Sequence, residues 1–256
     1  MHLLAGGGDH HRKRVGDEMS LPTPYYEEDG IIIFHADARD VVGNLEPIGL
    51  LLTDPPFESE AHTLQRRVKR TGGVMEIEPL PFMPMTTFDR QLFASALSRL
   101  IKGWALTFCQ IEAAPYWRAS YEQAGMIYKR TCVWVKPDGM PQYSGDRPGM
   151  GYETFVAMHA PKASEWNGGG HHGVWIINKN EGIGPNEHPT QKPLKLMKEL
   201  VHLFSQPQDT VFDPFMGSGT TLVAAKNLGR KAIGIEIEEK YCELAVRRLA
   251  QAVLPL

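Results

Sequence analysis

Two short stretches carry residue types that could do chemistry together: Asp54-Pro55-Pro56-Phe57 and Asp213-Pro214-Phe215-Met216-Gly217-Ser218-Gly219-Thr220. In the first, the Asp54 carboxylate and the Pro55 carbonyl are both acceptors and can take the two N–H groups of an aromatic amine. Such an amine is a poor nucleophile because its lone pair is delocalised into the ring. Two fixed acceptors localise that pair toward an electrophile. Consecutive prolines stiffen the loop, so the acceptors stand ready before a substrate arrives. Phe57 adds an aromatic face for a flat ring, and the chemistry needs neither a metal nor a covalent nucleophile. Taken alone, the tetrapeptide reads equally as a Pro-Pro turn with a buried Phe.

In the second stretch, glycine and serine between a strand and a helix let the backbone approach a ligand and aim helix N-terminal N–H groups at it. A Walker loop is disfavoured because no Lys follows the glycines at the required place, and Gly217-Ser218-Gly219 continues as Thr220-Thr221-Leu222, which breaks the GxGxxG pattern. Glu236 closes the next strand, at the spacing of about 20 residues from which an acidic side chain accepts from ribose hydroxyls.

Both stretches need a sheet to hold them at one rim. In an open α/β sheet, ligands bind beyond the carboxyl ends of the strands, near a topological switch point. Each stretch closes a strand-like run, Leu50-Leu51-Leu52-Thr53 and Thr210-Val211-Phe212. Ile31-Ile32-Ile33-Phe34 is continuous and β-branched, as a buried parallel strand is. A short helix from Arg39 to Leu45 leads to the strand Gly49–Thr53. Further helices are expected over 88–102, 113–124, from the 188–193 segment to Ser205 with Pro193 in the first turn, over 220–228 and over 239–253. Strands are expected over 104–109, 128–135, 154–159, 174–178 and 232–237. The fold class is therefore α/β: a mixed, mostly parallel sheet in which 128–135 and 154–159 form a reversed hairpin.

The bulk properties fit one such domain. The chain has 256 residues, 42% hydrophobic and 22% charged, with a formal net charge of −3. Any contact with nucleic acid must therefore come from local basic patches. Residues 1–24 read as a mobile tail and 25–256 as a single domain. The stretch 58–87, with its basic cluster and Pro79, Pro81 and Pro84, reads as a lid loop, and 137–187 as a largely irregular region. The three cysteines lack CxxC spacing and read as buried, reduced thiols, which fits a cytoplasmic protein. No apolar run reaches the ~20 residues of a membrane span.

The run from His188-Pro189-Thr190-Gln191-Lys192-Pro193 through Asp213–Thr220 to Glu236 resembles the cofactor site of the β-class DNA amino-methyltransferases, which use S-adenosylmethionine (AdoMet). The resemblance spans Ile31 to Ala250 in that class's circularly permuted order, acceptor motif first and cofactor motif second. It implies a Rossmann-like methyltransferase fold and a catalytic loop of Asp54, Pro55, Pro56 and Phe57. It further implies that Asp213, Pro214, Phe215, Gly217, Ser218, Gly219 and Thr220 hold the methionine end, with Asp54 bordering it. Glu236 would hold the ribose, and Asp37 with Ala38 the adenine of the cofactor. Thr190 and Lys192 would lie beside the methionine carboxylate.

Asp at the first motif position implies transfer to adenine N6 in double-stranded DNA by base flipping. Ser usually accompanies cytosine N4, and Phe57 in place of the commoner Tyr keeps the stacking face. The resemblance also implies a bacterial or phage-infected host cell and allows a homodimer. Arg66, Arg67, Lys69 and Arg70 are candidates for a phosphate clamp. Gln142, Tyr143, Arg147, Asn167, His171 and His172 are candidates for reading base edges. His171 and His172 lack a surrounding ligand cluster, so no metal is expected. Three alternatives stay open: cytosine N4 or an amine in RNA, a catalytically silent DNA-binding or partner subunit, and a protein side-chain amide.

Overall fold

The computed structural model describes residues 21–56, 86–139, 148–162, 165–179, 181 and 191–251, together with the backbone of 67–71 and 74–78. A single sheet of nine strands runs through it. In chain order the elements are β1 (Tyr26–Glu28), β2 (Ile31–His35), α1 (Ala38–Val41), β3 (Ile48–Thr53), β4 (Arg67–Thr71), β5 (Val74–Glu78), α2 (Thr87–Leu100) and β6 (Ile101–Cys109). They continue with α3 (Ala114–Gln123), β7 (Ile127–Val135), β8 (Tyr152–His159), β9 (Val174–Ile176), α4 (Leu194–Phe204), β10 (Thr210–Asp213), α5 (Thr220–Asn227), β11 (Lys231–Glu236) and α6 (Glu239–Gln251).

The strand order is β1-β2-β11-β10-β3-β6-β8-β7-β9, with β4 and β5 paired apart from it. Strands β2, β11, β10, β3 and β6 are mutually parallel. β8 runs against both β6 and β7, so it is the reversed strand. Consequently the carboxyl ends of β10, β11, β3, β6 and β7 share a rim with the start of β8.

The parallel strands are apolar on both sides because helices cover both faces. Leu50, Leu52, Leu106, Phe108 and Val211 pack with Leu196 and Met197 of α4, Leu222 of α5 and Ala245 of α6. Leu51, Ala105 and Phe212 pack on the opposite face with Val41 of α1, Phe93 and Leu97 of α2, and Trp117 and Tyr121 of α3.

Several expected boundaries move. The helix expected over 88–102 starts a residue earlier, where Thr86 and Asp89 form a capping box, and it ends at Leu100. β6 begins at once, at Ile101, and passes through Gly103, whose missing Cβ lets the strand close on the Gly49 carbonyl. Glycine there serves close approach rather than a break. Pro193 caps α4 instead of lying in its first turn. β1 was not expected, nor was the β4–β5 hairpin, which occupies the middle of the stretch read as a loop over 58–87. Cys132 and Cys242 are buried free thiols as expected, whereas Cys109 is only half-buried because it faces the rim end of β6.

Candidate active site

Both chemistry-bearing stretches lie at the shared rim, and one hydrogen bond ties them together. Thr53, the last residue of β3, donates its hydroxyl to Asp213 Oδ1 at 2.8 Å, and β3 and β10 are parallel neighbours. Asp213 is 3% exposed. Its Oδ1 also accepts from the Phe215 N–H at 3.1 Å and its Oδ2 from the Thr221 hydroxyl at 2.6 Å. Burial pushes its carboxyl up to about 6, with the Thr221, Thr53 and Phe215 bonds opposing that rise and the Asp54 charge adding to it. Asp213 thus pins the start of the glycine loop to β3 and α5.

The loop itself is shaped by glycine. Gly217 and Gly219 have φ of 52° and 75°, in the left-handed region. A Cβ on Gly219 would lie 2.7 Å from the Ala245 Cβ of α6. Gly219 is the N-cap of α5 and provides no side-chain cap, so the N–H groups of the first turn point into the rim unclaimed by one. Arg248 of α6 braces the loop from behind, donating Nη1–H to the Ser218 carbonyl at 2.6 Å, the Ser218 hydroxyl at 2.9 Å and the Thr220 hydroxyl at 3.0 Å. Glu236, ending β11, accepts from the Gly217 N–H at 3.1 Å and the Glu238 N–H at 2.8 Å. Burial raises its pKa, with backbone N–H groups drawing it back.

Asp37 lies one strand over, where β2 pairs with β11 and the Ala36 N–H bonds the Glu236 carbonyl at 3.1 Å. Its carboxylate caps α1 and is gripped by Arg39, which donates Nε–H at 2.9 Å and Nη2–H at 2.5 Å and holds its pKa below the usual carboxylate range. Ala38 is buried as the first residue of α1.

The acceptor side is built from charges. Lys192 Nζ donates to Asp54 Oδ2 at 2.5 Å and to Glu153 Oε2 at 3.0 Å, and Lys136 Nζ donates to Glu153 Oε1 at 3.0 Å. Lys192 also sits over the Phe108 ring, 4.9 Å from its centroid. Burial alone would lower the Lys192 ammonium, but Asp54 and Glu153 outweigh it and its pKa rises. Burial likewise favours a protonated Glu153, yet Lys192 and Lys136 hold its carboxyl below the ordinary value. For Asp54 burial wins over Lys192, Glu153 adds to it, and the pKa is raised. A more basic carboxylate is a stronger hydrogen-bond acceptor. Pro55 is buried and Pro56 half-buried beside it.

Not every expected residue is gathered here. Phe57, Arg66, Gln142, Tyr143, Arg147 and Thr190 lie outside the described residues. Arg67, Lys69 and Arg70 fall on β4, whose register sets Arg67 opposite Glu78 and Lys69 opposite Glu76. Asn167 is engaged at the end of α4, donating to the carbonyls of His202 and Ser205, each at 2.9 Å. The His171 ring rests against Trp175 with centroids 4.9 Å apart, and His172 is exposed. Among the described residues no three His, Cys, Asp or Glu side chains gather as metal ligands, and no helix is long and apolar enough to cross a membrane.

Sequence reasoning missed Glu153, Lys136, Arg248 and the pinning role of Thr53. The one signal for Glu153 was an acidic residue opening an otherwise apolar strand, YETFVAMH.

The donor set fits AdoMet. Helix N–H groups suit a carboxylate, and a carboxylate at the end of the neighbouring strand suits ribose hydroxyls. An α/β sheet with a reversed strand and this rim defines a Rossmann-like methyltransferase. Within that class, the N6_N4_Mtase family of DNA methylases matches residues 50–247, and the chain belongs to it. The type II methyltransferase M2.LlaDCHI of Lactococcus lactis subsp. cremoris is 26% identical over 90% of this chain and 93% of its own. The crystal structure of the M1.HpyAVI–SAM complex superimposes with a TM-score of 0.66 at 28% identity, over 86% of this chain and 98% of that one. The PvuII cytosine-N4-specific DNA methyltransferase shares the fold at a TM-score of 0.67 and 18% identity, over 91% and 89% of the two chains. The chain is thus an AdoMet-dependent DNA methyltransferase.

Proposed function

We propose that the protein methylates the exocyclic N6 of adenine at specific sites in double-stranded DNA, after rotating the base out of the helix. The observation that carries this reading is the Thr53–Asp213 bond. It fixes the Asp54-Pro55 acceptor pair beside the glycine loop, so a base amine held by one faces the methyl group held by the other. When bound, AdoMet supplies an electrophilic methyl group on a sulfonium. Asp54 and the Pro55 carbonyl bind the amine N–H groups and direct its lone pair, and Asp54, made more basic by burial, is placed to accept the proton released after transfer.

Lys192 occupies Asp54 Oδ2 in the free protein, and Glu153 offers it a second partner when the amine takes that oxygen. Extrusion of the base is required because an atom inside the duplex cannot reach this rim. Arg70, opposite Met75 in the hairpin register rather than an acidic residue, is the β4 position best suited to a phosphate. The region 137–187 supplies the base-edge readers, and the catalytic loop is completed by Phe57 stacking on the base.

The test is transfer from labelled AdoMet to mixed-sequence duplex DNA, followed by digestion to nucleosides and mass spectrometry. N6-methyldeoxyadenosine is expected. N4-methyldeoxycytidine would overturn the choice of base and keep the mechanism. AdoMet binding without transfer to DNA would overturn the acceptor.

A further inference from the structure

Gln110 follows β6 at the rim, and its side chain does nothing visible for the fold. The residue is 7% exposed, and neither its amide nitrogen nor its amide oxygen has a hydrogen-bond partner among the described residues. Its backbone carbonyl accepts from the Ala113 and Ala114 N–H groups at the start of α3. Burying a primary amide with both ends unpaired destabilises the folded state, so such groups are rare unless something arrives to pair them.

The register shows what could arrive. Along β6, Trp104, Leu106 and Phe108 face α4, α5 and α6. Gln110, two residues beyond Phe108, continues that face. Thr53 is level with Thr107 on one side, and Cys109 is level with Thr154 on the other. Carried past the strand ends, these registers bring Gln110 level with Pro56 on one side and with Glu153 on the other. It therefore lies level with Glu153, on the same face as Asp54 and two residues beyond the Phe108 level that Asp54 occupies. The neighbouring charges, Asp54 and Glu153, already bond one another through Lys192, whereas Gln110 has neither amide atom paired among the described residues.

We infer that Gln110 is a specificity-determining residue that hydrogen-bonds the ring of the extruded target base. Its Nε2 donates to the ring nitrogen beside the exocyclic amine that Asp54 and Pro55 hold. The inference rests on the acceptor reading above and deepens it, because a site built to pair a ring nitrogen rejects a base that lacks one.

Gln110→Met keeps the shape of the side chain and removes the amide, so it separates this role from a structural one. The inference predicts three results for the full chain. The AdoMet Kd stays within about twofold of wild type. The thermal midpoint rises by about 2–4 °C, because an unpaired buried amide is gone. Transfer to DNA, as kcat/KM, falls at least about tenfold, a loss of roughly 1.4 kcal/mol.

Oligonucleotides carrying the mapped target site then identify the atom. Wild type discriminates at least about tenfold against 1-deazaadenine or 7-deazaadenine at the target, and Gln110→Met loses most of that discrimination. If the product is N4-methylcytosine, 3-deazacytosine takes their place with the same expectation. Gln110→Ala repeats the comparison should the Met variant misfold. Undiminished transfer by the variant, or discrimination that survives the substitution, overturns the inference. Wild-type protein that binds AdoMet but methylates no DNA overturns the acceptor reading itself, and this inference with it.

Discussion

The two halves of the rim are built on opposite principles. Around the glycine loop, polar side chains are bonded to the protein itself: Asp213 takes three donors, Glu236 two, and Arg248 holds the loop from behind. What faces outward is backbone, fixed by two left-handed glycines. Around Asp54 the groups are charged side chains bonded to one another, Lys192 shared between two carboxylates, with the buried Gln110 amide unpaired among the described residues. One half is finished before anything binds. The other holds its bonding capacity in exchangeable pairs. A cofactor that is the same in every turnover suits the first arrangement, and a base that must enter and leave suits the second.

Lys192→Met attacks the second half and carries the largest expected effect. It leaves the Asp54 and Glu153 carboxylates facing each other without their shared cation, which should destabilise the fold by about 3 kcal/mol as judged by denaturant unfolding at neutral pH. Asp54 also loses the charge that opposes its raised pKa, so it binds a proton at higher pH. The acid limb of the transfer profile should therefore move upward, with activity recovering as pH rises. An unmoved limb would detach Lys192 from Asp54.

Gly219→Ala attacks the first half. The φ of 75° and the 2.7 Å approach to Ala245 both oppose a side chain, for a cost of about 2 kcal/mol. Unlike Lys192→Met, it should weaken AdoMet binding in calorimetry. Ala245→Gly in the same chain should recover part of the loss by relieving the contact, leaving the backbone strain. Equal losses in cofactor binding from both single variants would erase the contrast between the halves.

Asp213 sharpens the comparison through pH. Its folded pKa of about 6 lies above its unfolded value, so the folded state binds the extra proton between about pH 4 and 6. Stability attributable to Asp213 is therefore present at low pH and lost as pH rises through 6, by at most about 3 kcal/mol for two pK units. Denaturant midpoints of wild type and Asp213→Asn, compared from pH 4 to 7, should diverge over that window. A difference independent of pH would place the titration elsewhere.

The smallest effect concerns the hairpin. Replacing Arg70 with Gln should lower the salt dependence of DNA binding by roughly one phosphate contact, and Arg67→Gln by less, given Glu78 opposite it. Equal slopes would mean that the β4 register does not govern which positions meet phosphate.

The same contrast explains what could be read from the sequence. The glycine loop, Glu236 and the Asp54-Pro55-Pro56 turn are contiguous or separated by one strand–helix unit, so spacing alone reveals them. The mostly parallel sheet is legible in apolar runs that two-sided burial explains, whereas its strand order is not. Glu153, Lys136 and Gln110 are single polar residues at or just past strand ends, far in sequence from Asp54; Gln110 comes near it through the pairing of β3 with β6, and Glu153 and Lys136 through the placement of β8 between β6 and β7. Lys192 was identified as a site residue but assigned by resemblance to the cofactor carboxylate, whereas its ammonium is bonded to Asp54 and Glu153. β1 was missed because three residues at a sheet edge carry too little apolar pattern to register. The β4–β5 hairpin was missed because its alternation is broken by charge.

The division of the rim is tested most directly by titrating AdoMet into wild type and Asp54→Ala while measuring single-turnover transfer with both. The account predicts a transfer rate lower by at least about 10²-fold, with an AdoMet Kd within about threefold of wild type. Loss of AdoMet binding in parallel with transfer would contradict it, because Asp54 would then belong to the cofactor half.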